Sequence, residues 1–227
     1  MQQNLTDKEI KLADLIKNYM NNSTNLQEIV QKAYEQLKES YNEKEIAESI
    51  NKFIETKYLV RGFTLTKRDV LDNQKRKEIL QYIAKSPGCH GRAIRNSLKL
   101  GSNEFSWHIS LLESFGLIKR LNSDDIEGFL LNRSYQDYES VLVWYQHPKA
   151  QKILKICAKN SRTALEISKE VKMHYNTVKK YLERLLETQL IQQIEQERPK
   201  KYLTNQEFIT KLKKIINSAF FDDFSSE

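Results

Sequence analysis

The sequence predicts a mainly α chain with small β-hairpins, an α+β class assembled from repeated helix–helix–helix–hairpin units. Three observations carry this. Apolar residues recur at helical spacing along most of the chain. Six Gly and three Pro in 227 residues are few for a β-sandwich. Short β-patterned runs with a polar turn between them follow the third helical stretch of each unit.

Residues 1–72 form the first unit. "TDKEIKLADLIKNYM", "NLQEIVQKAYEQL" and "NEKEIAESINKFIETKYLV" predict three helices, and "RGFTLT" predicts a hairpin. The turn "KESYNEK" is loose and Glu-rich, and a plain helical interaction segment is the alternative reading of this unit. Glu43, Glu45 and Glu48 stud its third helix and would repel phosphates, so the unit is assigned to homodimerisation or to a protein partner.

Residues 73–147 form the middle unit. "NQKRKEILQYIAKSPG" places Ile79, Leu80 and Ile83 on one helical face and stops at a Pro-Gly turn. "GRAIRNSLKLG" gives a short second helix with Ile94 and Leu98 four apart. Ser102 then caps a third helix on which Phe105, Ile109, Leu112 and Phe115 are apolar, and Gly116 closes it. "LIKRLN" and "EGFLLN" are the strands of a hairpin around "SDDI".

Residues 148–205 repeat the grammar: "HPKAQKILKICAKNS", "TALEISKEV" and "NTVKKYLERLLETQ" as helices, then "LIQQIEQERPKKYLT" as strand, basic tip and strand. Residues 206–227 are an amphipathic tail helix with Phe220, Phe221 and Phe224 near its end, which either docks on the last unit or meets a partner. Three helices followed by a two-stranded hairpin is the order of a winged helix-turn-helix, whose third helix normally enters a DNA major groove.

The middle unit also resembles the winged helix-turn-helix transcriptional regulators common in archaea. Pro87, Gly88, His90, Trp107, His108, Leu112, Glu113, Gly116, Leu117 and Ile118 sit where that pattern places them. The resemblance covers about 45 residues closely, and the last unit fits the wider superfamily. It implies a transcriptional regulator acting on double-stranded DNA. Glu104 and the scarcity of cations on the middle unit's third helix depart from a DNA reader. The fold is also reused for protein contacts, so the alternative is a non-catalytic scaffold like the winged helices of endosomal-sorting complex II, chromosome-organising complexes or polymerase-associated subunits.

Composition narrows the class further. No window approaches the apolar run of a membrane helix, and "MQQNLTDKEI" lacks an apolar signal core. Cys89 and Cys157 stand far apart without metal-ligand company, which reads as two free thiols in a cytoplasmic protein. GxGxxG, GxxxxGK[ST] and HExxH motifs are absent and the four His are scattered, so no enzyme, cofactor or metal site is expected. A site using Cys89, His90 and His108 has no ligand pair at metal spacing.

Charge points to the interface. Residues 1–72 carry net −1, residues 73–147 net +2 and residues 148–227 net +6, which together give the +7 of the chain. Lys179, Lys180 and Arg184 lie along the third helix of the last unit, and Arg198, Lys200 and Lys201 at its wing tip, where phosphates would be met. His174, Tyr175, Asn176 and Thr177 open that helix with side chains able to reach base edges. In the middle unit Ser102, Asn103, Ser106 and Trp107 are the DNA-facing candidates. His108 is expected at the core edge with its ring nitrogen bonded to backbone.

Overall fold

The computed structural model describes residues 5–22, 25–123, 126–133, 135–194 and 199–224. The helices and strands run in the order α1 (Asp7–Asn22), α2 (Leu26–Leu37), α3 (Glu43–Glu55), α4 (Lys67–Asp72), α5 (Gln74–Lys85), α6 (Gly91–Leu98), α7 (Ser102–Ser114), β1 (Ile118–Ser123), β2 (Ile126–Leu131), α8 (Glu139–Gln146), α9 (Pro148–Lys159), β3 (Arg162–Thr163), α10 (Ala164–Val171), α11 (Tyr175–Glu187), β4 (Ile191–Ile194), β5 (Lys201–Thr204) and α12 (Gln206–Phe224). The chain is mainly helical with small antiparallel sheets. It divides into two units, one of residues 1–77 with 103–117 and the other of residues 78–102 with 118–227.

In the first unit, α1, α2 and α3 bury Leu12, Ile16, Met20, Ile29, Ile46, Ile50 and Phe53 in one cluster. Asn42 and Glu45 form a reciprocal capping box that starts α3. The stretch after α3, expected as a hairpin, makes a single antiparallel bridge between Leu59 and Thr66. The reason is local. Thr66 accepts from the Asp69 amide at 3.2 Å and caps α4, which turns the chain into a helix where a return strand would have begun.

In the second unit, α9, α10, α11 and α12 share a core with α8 that includes Trp144, Ile153, Leu154, Ile167, Val178, Leu182, Leu185, Ile209 and Leu212. The apolar face of the tail helix is thus spent inside the unit; Phe220, Phe221 and Phe224 fall outside the residues whose side chains are described. β3, β5 and β4 form an antiparallel sheet in that order, and β1 pairs with β2. Thr204 on β5 donates its hydroxyl to the Leu154 carbonyl at 2.7 Å, fastening the sheet to α9.

Backbone geometry repeats at positions 73 apart in the chain. Cys89 bridges Phe129 as Arg162 pairs with Tyr202, and Ile118 faces Leu131 as Ile191 faces Thr204. The second helices end on left-handed Lys99 (φ 53°) and Lys172 (φ 56°). The third helices end in a Schellman motif: left-handed Gly116 bonds Glu113, and Leu117 bonds Leu112 at 2.8 Å; left-handed Gln189 bonds Leu186, and Leu190 bonds Leu185 at 2.9 Å. α3 closes with the same pair of bonds, left-handed Lys57 to Ile54 and Tyr58 to Phe53.

The Pro-Gly turn has a packing reason as well. Gly88 adopts φ +87°, and a Cβ there would come within 2.5 Å of the Leu142 carbonyl carbon on α8. Gly128 on β2 faces it, with space for a Cβ blocked by the Gly88 carbonyl oxygen at 2.6 Å. The turn and helix backbones therefore meet directly, and the Val143 side chain fills the space that a Cβ on Gly128 would take.

Candidate nucleic-acid interface

The last third helix is built to show one face. His174 is the N-cap of α11, its Nδ1 accepting from the Asn176 amide at 3.3 Å. Val178, Leu182 and Leu185, at helical spacing, turn one side into the core. That rotation leaves Asn176, Lys179, Lys180 and Glu183 exposed on the outer side, with Tyr175 42% exposed at the N-terminal end. Thr177 is half-buried between the two faces. Arg184 is also half-buried and joins Glu187 at 2.7 Å, so its charge is already partnered within the helix.

The structure thus brings His174, Tyr175, Asn176, Lys179 and Lys180 to one end of α11 and sets Arg184 apart with its carboxylate. In the last hairpin, β4 and β5 pair from Ile191–Thr204 to Ile194–Lys201, Lys200 is exposed and Lys201 half-buried. Arg198 lies outside the described residues.

On α7, Ser102, Asn103, Ser106 and Trp107 are all exposed, Trp107 to 55%. Ser102 is the first residue of the helix itself and not a cap ahead of it. Arg76 stands 5.7 Å from the Trp107 ring and is itself only 4% exposed. Its guanidinium donates to the carbonyls of Val70 (2.6 Å) and Asp69 (3.0 Å), ending α4. Burial of this cation is offset by those two carbonyls and the ring face.

His108 departs from expectation. It is buried, but its Nδ1 meets no hydrogen-bond partner among the described residues, where a backbone bond was expected. On a helix interior the carbonyls near it are committed to the i→i−4 ladder, leaving the ring only Glu104, 4.0 Å from Nε2. Burial, with Arg76 adding repulsion, holds His108 below its ordinary pKa and therefore neutral.

Two features were not assigned from the sequence: the capping role of His90 and the lysine row of α9. His90 caps α6, its Nδ1 accepting from the Arg92 amide at 3.0 Å, at the position 73 residues before the α10 cap Thr163. Lys149, Lys152, Lys155 and Lys159 lie exposed along α9. Their spacing of three and four with no acidic residue in "PKAQKILKICAK" was the available signal. Cys89 and Cys157 are buried, and burial pushes both thiols up to about 12, so neither is a reactive thiolate at neutral pH. Among the described residues no group of three or more His, Cys, Asp or Glu is placed to hold a metal ion, and no helix is long and apolar enough to cross a membrane.

No family model matches the chain. Over 133 residues, 56% of its length, the chain is 27% identical to an uncharacterised HTH-type transcriptional regulator of Methanocaldococcus jannaschii, a similarity that points no finer than to helix-turn-helix regulators. The chain spans about a third of that relative's length, the matched part covering 34% of it.

Proposed function

We propose that this chain is a non-catalytic, cytoplasmic DNA-binding regulator built from tandem winged helix-turn-helix units, with α11 as its reading helix and the β4–β5 wing on the backbone. One observation carries the reading: the exposed N-terminal end of α11 groups Tyr175, Asn176, Lys179 and Lys180, short hydrogen-bonding groups beside cations. Asn pairs with the adenine edge, and lysines neutralise flanking phosphates. Support also comes from the backbone repeat at 73-residue spacing, which places Asn103 of α7 and Asn176 of α11 at equivalent positions. The similarity to a transcriptional regulator agrees with it.

The first unit has a different role in this reading. Glu43 and Glu48 are exposed on α3 and would repel a duplex, which favours a second copy of the chain or another protein as its partner. That is the part of the molecule to which the scaffold alternative applies.

Selection of bound sequences from random duplex DNA, with affinity measured against salt, tests the proposal. An enriched motif is expected. With about six phosphates contacted, affinity should fall by roughly a thousandfold between about 50 and 200 mM salt. No enrichment together with a flat salt response would leave only the scaffold.

A further inference from the structure

The cationic excess of residues 148–227 does not sit on the reading helix. α11 carries Lys179, Lys180 and Arg184 against Glu183 and Glu187, a net of +1. α9 carries four lysines and no carboxylate, a net of +4 out of the segment's +6. All four lysines are exposed, on the side opposite the buried Ala150, Ile153, Leu154 and Cys157. Among the described residues they make no ion pair, whereas Lys32 on α2 meets Glu28 at 2.5 Å and Lys17 on α1 meets Asp14 at 2.9 Å, each one turn away.

Helix stability does not explain the row. Like charges three and four residues apart repel one another, and Lys149 sits in the first turn, where the helix dipole disfavours a cation. A solvated face interleaves both signs. A polyanion laid along the row reverses each of these costs. From Lys149 to Lys159 the helix rises about 15 Å at 1.5 Å per residue, close to the axial span of about five phosphates of one B-DNA strand at about 3.4 Å per step.

We infer that the outer face of α9 is a second, sequence-independent contact for the phosphate backbone of duplex DNA, separate from the base-reading end of α11. This rests on the reading of the chain as DNA-binding. The bases are untouched in it: lysine is a point charge on a flexible stem, which suits a phosphate row and carries no base preference.

The test replaces Lys149, Lys152, Lys155 and Lys159 together with Gln in the full chain. Binding to a selected duplex and to a random one is then measured between about 50 and 200 mM salt. The slope of log affinity against log salt should fall by about 2 to 4, so the loss of affinity across that roughly fourfold range shrinks roughly 16- to 250-fold, while the preferred sequence stays the same. An unchanged slope in a variant that still binds overturns the α9 contact and leaves the DNA reading standing. No duplex binding by the wild type fells both; retention on anionic vesicles that the variant loses would then make this a membrane face. Should the quadruple variant fail to fold, the Lys152→Gln, Lys155→Gln pair is expected to show half the change in slope, and an unchanged slope there overturns the proposal equally.

Discussion

Gly88→Ala probes the joint on which the second unit turns. The residue adopts φ +87°, and an added Cβ would meet the backbone of α8, 2.5 Å from the Leu142 carbonyl carbon and 2.6 Å from the Val143 nitrogen. A left-handed alanine costs about 1–2 kcal/mol, and forcing an extra carbon into packed backbone typically about 1–3 kcal/mol, so the expected loss is about 2–5 kcal/mol. Two other glycines separate these terms. Gly62 shares the positive φ, at +83°, but faces open space, so Gly62→Ala should cost only about 1 kcal/mol, partly offset by a stiffer unfolded chain. Gly101 is open and conformationally ordinary, so Gly101→Ala should be neutral or stabilising by up to about 1 kcal/mol.

The assay uses the chain's two tryptophans. Trp144 lies on α8, 3% exposed, and a Trp107→Phe background leaves it as the sole indole reporter of the second unit. Urea unfolding followed by its fluorescence should show a midpoint lowered by about 1–2 M for Gly88→Ala at unchanged slope. A midpoint lowered by no more than about 0.5 M, the share left to backbone strain alone, would mean that α8 does not approach the Pro-Gly turn.

Leu112, fully buried on α7, should cost about 2–5 kcal/mol when cut to Ala, read as a lowered melting temperature; a loss under about 1 kcal/mol would show that α7 does not bury this face. Burial, with His90 and Lys149 adding repulsion, pushes the His147 imidazole down to about 4, so it is neutral in the folded chain while the unfolded chain takes up its proton near 6.5. Its contribution is therefore complete above about pH 6.5 and is lost as pH falls toward 4, and His147→Phe should flatten unfolding curves across that window. Asn176→Ala should cost about 1–3 kcal/mol on the selected site, relax one base position and spare random duplex, whereas Lys179→Ala should weaken all duplexes alike. Equal losses on every duplex in both variants would remove α11 as the reader.

How much of this was legible in the sequence depends on how each element buries itself. α5, α7, α9 and α11 are amphipathic, so their apolar spacing announces them. α8 gives no such stripe: Val141, Leu142, Val143 and Trp144 are all buried in succession, so no period shows among its buried positions. β3 is two residues long, below the reach of any alternation, and is defined only by its pairing with β5. The short α4 had a local signal in Thr66 and Asp69, the reciprocal cap that replaced the expected hairpin. At the candidate site, residue type marked Asn176, Lys179 and Lys180, but exposure could be assigned only once the buried side of α11 was known. The Arg184–Glu187 pair removes a cation that a count along the helix had included.

Separating base reading from charge has a physical logic. A reading helix crowded with lysines would bind every duplex tightly and dilute the few kcal/mol that one correct base contact supplies. α11 nets only +1, so on the proposed reading its base preference would be a large share of whatever it contributes. On the proposed reading, the +4 of α9 would supply attraction equal on all sequences, raising residence on DNA without altering the ranking of sites. Substitutions on the two helices should therefore act on different axes: those on α9 move the salt slope and leave the motif, and Asn176→Ala moves the motif and leaves the slope. If both moved together, the two faces would be parts of one contact and the division of labour would be wrong.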